Sequence, residues 1–112
     1  MITFIARLKV KPECAAEFEA LMTFVCEQVR DHEPGVAYYA FARSVSEPDG
    51  YVVVEAYRDA AAHSAHMASA WVRESIPKAS RLIEGKPDIR QYVSPGTEPI
   101  SPMERAGKSL SE

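Results

Sequence analysis

No apolar run in this 112-residue chain approaches the ~20 residues that a membrane-spanning helix needs, so no such span is expected. Nor is there a basic block. Lys and Arg number 13 against 16 Asp and Glu, for a net charge of −3. Phosphate binding needs clustered Lys and Arg, so this balance argues against nucleic acid as the main partner. The opening stretch, MITFIARLKVKP, lacks a charged segment followed by an apolar stretch and a small-residue cleavage site. No signal peptide is expected, and the cytoplasm is the default location. Cysteine occurs only at Cys14 and Cys26. Both fall in one predicted helix, where a rise of ~1.5 Å per residue separates them by roughly 18 Å. A disulfide needs Cα atoms within about 7 Å, so the two do not pair. Two free thiols suit a reducing compartment, and both read as small packing residues.

What is present fits one soluble domain: 46% hydrophobic and 26% charged residues over 112 positions. A chain this short buries a modest share of its surface and often gains from a partner subunit. Residues 2–10, ITFIARLKV, alternate. Ile2, Phe4, Ala6, Leu8 and Val10 take one side, as in a strand with one face toward a core. Pro12 suits a helix start. Over 13–31 the period changes, with Phe18, Leu21, Met22, Val25 and Val29 three and four apart, which predicts an amphipathic helix. HEPG at 32–35 stops it. Residues 36–45 and 51–58 predict two strands joined through SEPDG, a hairpin. Asp59 is a good N-cap for a helix over 60–75. Pro77 is expected to interrupt or restart that helix, with a further turn or two reaching Gly85. Residues 88–93 predict a fourth strand.

The order is β-α-β, β-α-β. It predicts an α+β fold, the ferredoxin-like βαββαβ arrangement: a four-stranded antiparallel sheet with helices on one face. Ile5, Val52, Val54 and Ala56 are then too apolar for a solvated outer face. Two sheets packed back to back would hide them, which predicts a homodimer built through the sheet faces. The domain is assigned to residues 1–94. Residues 95–112 are a polar, Pro/Ser-rich tail that alone should be mobile, with Ile100 and Met103 available to anchor it on a neighbouring subunit.

Three stretches resemble the antibiotic biosynthesis monooxygenase family of the dimeric α+β barrel proteins: IARLKVKP at 5–12, EPGVAYYAFARS at 33–44 and EAYRDAAAHSAH at 55–66. Tyr57 takes the family's aromatic position and His66 its histidine position. The resemblance spans about residues 1–94. It implies a small homodimer with one pocket per subunit, between the helices and the sheet. Members of the family oxygenate quinols or polycyclic phenols with O2 and no cofactor. Relatives isomerise a signalling-molecule phosphate or degrade heme, and the fold hosts several activities. The chain departs from the family where a second histidine often stands; here it is Trp71. The heme-degrading relatives use an Asn-Trp-His set, and this chain has no asparagine.

His63 and His66 are three apart and share one helical face. A zinc or iron site needs a third or fourth ligand, and no HExxH or cysteine-pair spacing supplies one, so no metal is expected. His66 alone suits a general base, since imidazole takes a proton near neutral pH. Removing a phenolic proton makes an electron-rich anion able to pass an electron to O2. In that reading His66, Tyr57 and Arg43 are the catalytic candidates, with Arg43 stabilising negative charge. Tyr39, Glu55 and Trp71 are the substrate-binding candidates. The competing readings make His66 a half-buried helix residue bonded to Glu55, His63 a solvent-facing residue and Trp71 a core residue. They make Arg43 a surface charge and Glu55 a structural or dimer residue. The leading expectation is a cofactor-independent monooxygenase of a small aromatic quinol or hydroxyquinone. The alternatives are an isomerase of a small oxidised metabolite or a non-enzymatic ligand-binding or stress protein.

Overall fold

The computed structural model describes residues 1–101. β1 (Ile2–Val10) leads through a 3-10 turn at Pro12–Cys14 into α1 (Ala15–His32). β2 (Val36–Arg43) and β3 (Gly50–Tyr57) form the hairpin. α2 (Ala60–Ala68) and α3 (Ala70–Leu82) follow, then β4 (Ile83–Val93). The sheet runs β2-β3-β1-β4 with every neighbouring pair antiparallel. This is the ferredoxin-like α+β fold that the alternation of periods predicts.

The helix-facing side of the sheet follows from the pleat, because residues directly opposite in a ladder point the same way. Ile2, Phe4, Ala6 and Val10 of β1 are buried with Tyr51, Val53 and Tyr57 of β3. α1 covers them with Phe18, Met22, Val25 and Val29, the stripe its spacing predicts. The other side of the sheet carries Ile5, Val52, Val54 and Ala56, all half-buried, beside the exposed rings of Tyr38 and Tyr92. Among the described residues no helix covers that side.

Two expectations about the helices need correction. The break falls at Ser69, not at Pro77. Ser69 is extended (φ −66°, ψ 150°); its hydroxyl donates to the His66 carbonyl at 2.7 Å and accepts from the Val72 N–H at 3.4 Å. One side chain thus closes α2 and opens α3. Pro77 lies inside α3 on its exposed face, where water can reach the Arg73 carbonyl that its missing N–H leaves unmatched. α3 therefore stops at Leu82, and β4 starts at once rather than at residue 88. The longer strand fits because the ladder shifts between Arg7 and Lys9, with Gly85 in the left-handed region (φ 69°) on the bulged side.

The tail is also anchored differently. Ile100 is 5% exposed and packs with Ile2 and Phe4 of its own chain, a burial worth about 1.5–3 kcal/mol. Met103 lies outside the described residues.

Gly35 follows α1 and is a close approach. A Cβ there would stand 2.7 Å from the Cβ of Ala62 in α2. Gly35→Ala is therefore expected to push α2 off the α1 exit and destabilise the fold by about 1–3 kcal/mol, the usual range for overpacking. A thermal or urea melt checks this, and an unchanged midpoint would refute the close-approach role.

Candidate functional site

The ladder pairings lay two rows of side chains across the helix-facing side of the sheet. One row is Tyr39, Glu55, Phe4 and Gln91; the next is Val36, Tyr57, Ile2 and Val93. α2 descends on these rows. Asp59 caps it, accepting the Ala62 N–H at 2.8 Å. His63 and His66 then point into the interior, 4% and 2% exposed. The expectation that His63 faces solvent is overturned, because residues three apart share a face and that face meets the sheet. His63 packs on Phe4 (ring centroids 5.1 Å apart) and edge-on to Tyr57 (5.0 Å). His66 packs on Tyr39 (5.1 Å) and Tyr57 (5.4 Å).

The partner of His66 is Glu33, not Glu55. Glu33 is the C-cap residue of α1, its N–H bonded to the Val29 carbonyl at 2.9 Å. The Pro34-Gly35 turn follows, and the Glu33 side chain is 8% exposed. Its carboxylate oxygens lie 2.9 and 3.1 Å from His66 Nδ1, and it accepts the Trp71 indole N–H at 2.6 Å. Burial raises the pKa of this carboxyl, but the hydrogen bond and charge of His66 and the indole N–H outweigh it, and the net shift is downward. Glu33 is thus ionised at neutral pH and can only accept. It follows that His66 Nδ1 carries the proton and donates it. In the neutral ring Nε2 is then the basic nitrogen. Among the described residues Nε2 has no hydrogen-bond partner.

The two tyrosines are held as neutral phenols. Burial, then the charge of Glu55, raises the pKa of Tyr39 well above its ordinary value. The same causes, with a hydrogen bond to Glu55, raise that of Tyr57. Tyr57 donates its hydroxyl to Glu55. The Tyr39 hydroxyl has no hydrogen-bond partner among the described residues. The site therefore presents an imidazole nitrogen able to take a proton and a phenol able to donate one, among aromatic walls.

The structure brings together His66, Tyr57, Tyr39 and Glu55, with Trp71 joined to them through Glu33. Trp71 also packs on His32, with ring centroids 5.3 Å apart. Arg43 stands apart. It pairs with Tyr51, four residues along β2 from Tyr39, a displacement of roughly 13 Å at ~3.3 Å per residue. It is exposed and lines a separate open concavity of about 750 Å³, with Arg7, Lys9, Glu47 and Lys86. None of His66, Tyr39 or Tyr57 lines that concavity. Among the described residues no group of three His, Cys, Asp or Glu side chains is placed to hold a metal ion. Sequence reasoning did not assign a site role to Glu33. In the sequence it figures in the HEPG helix stop and in the family-like stretch at 33–44, and neither carries a site role for its carboxylate.

A family model described as antibiotic biosynthesis monooxygenase matches residues 1–78. A crystal structure from Caulobacter crescentus, of a candidate antibiotic biosynthesis monooxygenase, superposes with a TM-score of 0.79 at 30% identity. That match covers 83% of this chain and 88% of the other. A conserved protein of Methanosarcina mazei superposes with a TM-score of 0.76 at 25% identity, covering 81% and 89%. An uncharacterised protein of Synechocystis is 28% identical over 99 residues, which cover 88% of this chain and 67% of that protein.

Proposed function

This chain belongs to the antibiotic biosynthesis monooxygenase family, and from that premise we propose that it oxidises a small aromatic quinol or hydroxyquinone with O2 and no cofactor. The observation that carries the reading is the pair formed by Glu33 and His66, which fixes the imidazole with Nε2 as its base. The substrate enters as a neutral phenol. His66 Nε2 takes its hydroxyl proton, and the new imidazolium is stabilised by Glu33 on one side and by the phenolate on the other. The phenolate passes an electron to O2, and recombination forms a carbon–oxygen bond in a peroxide. The peroxide forms on a ring carbon that bears hydrogen and becomes the hydroperoxide by taking back the proton held on His66. Loss of water, which carries off that ring hydrogen and the distal oxygen, then leaves a carbonyl and neutral His66. One oxygen atom enters the product and the other leaves as water, with the substrate supplying all the electrons. Tyr39 donates to a substrate oxygen, while the aromatic walls formed by Phe4, Tyr57 and His63 suit a planar ligand.

Arg43, the guanidinium considered for a phosphate-bearing ligand, lies away from this cluster and lines the separate concavity. That favours the oxygenase over the phosphate isomerase. The test is incubation with a quinol panel in air and under nitrogen. Expected is product formation that requires O2, consumes it one to one with substrate and survives chelators. Binding without turnover across the panel would instead make the chain a ligand-binding protein on the same scaffold.

The functional unit in this reading is a homodimer joined through the outer sheet faces. Ile5 and Val54 are directly opposite each other in the ladder at the middle of that surface. Val54→Glu is expected to convert a dimer to a monomer in light scattering, because it places an unpaired charge in an apolar interface. A wild-type chain that is already monomeric would remove the dimer from the proposal.

A further inference from the structure

After β4 the chain turns back toward the domain it has just completed. The Ser94 N–H bonds to the Met1 carbonyl at 3.0 Å, and the Thr97 N–H bonds to the Ser94 carbonyl at 2.9 Å across a turn in which Gly96 takes φ 88°. Residues 94–101 form no helix or strand, and between Ser94 and Pro99 only Thr97 is even half-buried. Ile100 is the exception. Its side chain enters the buried cluster of Ile2, Phe4 and Tyr57, against which Val36, Ala62 and Val93 also pack. Its backbone is gripped by one carboxamide: Gln91 Nε2 donates to the Ile100 carbonyl and the Ile100 N–H donates to Gln91 Oε1, both at 2.8 Å. Gln91 stands in the same cross-strand row as Phe4, Glu55 and Tyr39.

We infer that residues 94–101 are a strap that closes the aromatic site, with Ile100 as its plug and the Gln91 amide as its latch. Ile100 fills the space on the β4 side of the two rows, and the cluster it completes reaches Tyr57, which packs on both His63 and His66. Between Ser94 and Ile100 the strap is held by the Ser94–Met1 bond, the Ile100 side chain and the Gln91 amide, whereas the β1–β4 ladder beside it pairs residue by residue from Ile2 to Arg7. Its release opens a path along Phe4 and Tyr57 while leaving sheet and helices in place, as is usual of lids on buried sites. The gating role rests on the reading of the His66 cluster as a ligand site; the seating of the strap does not.

The test needs no substrate. Diethyl pyrocarbonate modifies accessible imidazoles, and peptide mass spectrometry resolves His32 from the α2 pair. In the wild-type chain exposed His32 reacts quickly and buried His63 and His66 slowly. Gln91→Ala removes both latch bonds and Ile100→Gly removes the plug. Each is expected to raise the α2 rate roughly tenfold, the effect of losing a pair of ordinary hydrogen bonds or a buried side chain, with His32 unchanged. Unchanged α2 rates in both variants would sink the strap. So would a parallel rise at His32, since that reports general loosening. A failure of the O2 chemistry would leave this result as it is.

Discussion

Replacing Glu33 with alanine is expected to cost about 1–3 kcal/mol of folding stability for each hydrogen-bond donor it strands. The carboxylate accepts from buried His66 Nδ1 and half-buried Trp71 Nε1, and neither nitrogen has another hydrogen-bond partner among the described residues. Truncation strands both, and each stranded donor carries its own desolvation cost. Glu33→Gln keeps one acceptor oxygen and is expected to lose less. The pH dependence has a definite sign. The folded pKa of Glu33 lies below its ordinary value of 4.5, so the contribution of this group is present in full above that value. It is lost as pH falls through the lower folded pKa. The wild-type melting temperature should therefore fall in that acid window more steeply than that of Glu33→Gln, in which this group no longer titrates. Equal acid slopes in the two proteins would show that the carboxylate is not the titrating group.

The parts of this molecule that read from sequence are the ones governed by local period. Alternation over 2–10 places Ile2, Phe4, Ala6 and Val10 on one side of β1, and that side is buried. Spacing of three and four puts Phe18, Met22, Val25 and Val29 inside α1. Tyr57 and Glu55 share a sheet side by the same arithmetic, and the opposite parities of Tyr38 and Tyr39 allow only one of them to face the helices. The structure selects Tyr39, because the ladder seats it opposite Glu55. What did not read are contacts between distant segments. Glu33 and His66 are 33 positions apart, and nothing local to the Glu-Pro-Gly turn announces an acceptor for a histidine. Ser69 sits between alanines in a run with high helix propensity, so its capping role shows only when its hydroxyl is seen bonding on both sides. Ile100 is one apolar residue among Pro, Ser and Glu, too sparse to give any period. Its burial depends on a groove made by β1, β3 and β4 together.

His66→Ala is expected to lower kcat by roughly 10²–10⁴-fold, the usual contribution of a positioned general base. A small change in KM should accompany it, since the aromatic walls and the Tyr39 donor remain in place. Loss of rate alone would not separate a base from a packing residue, because the truncation also leaves a cavity between Tyr39 and Tyr57 and frees the Glu33 carboxylate. Chemical rescue makes the separation. Free imidazole fits the space of the missing ring and meets the same carboxylate, which would hold its proton-bearing nitrogen as it holds His66 Nδ1. Added imidazole should restore activity to His66→Ala in a saturable way, and the rescued rate should follow the neutral fraction of the added base. Glu33→Gln should keep part of the activity, because the amide still orients the ring but stabilises the imidazolium less. These outcomes are the ones expected of Glu33 as a positioning residue and His66 as the base in the proposed reaction. Two results would transfer the base to another group: a His66→Ala protein that turns over at the wild-type rate, or one that imidazole fails to rescue while it still binds the substrate.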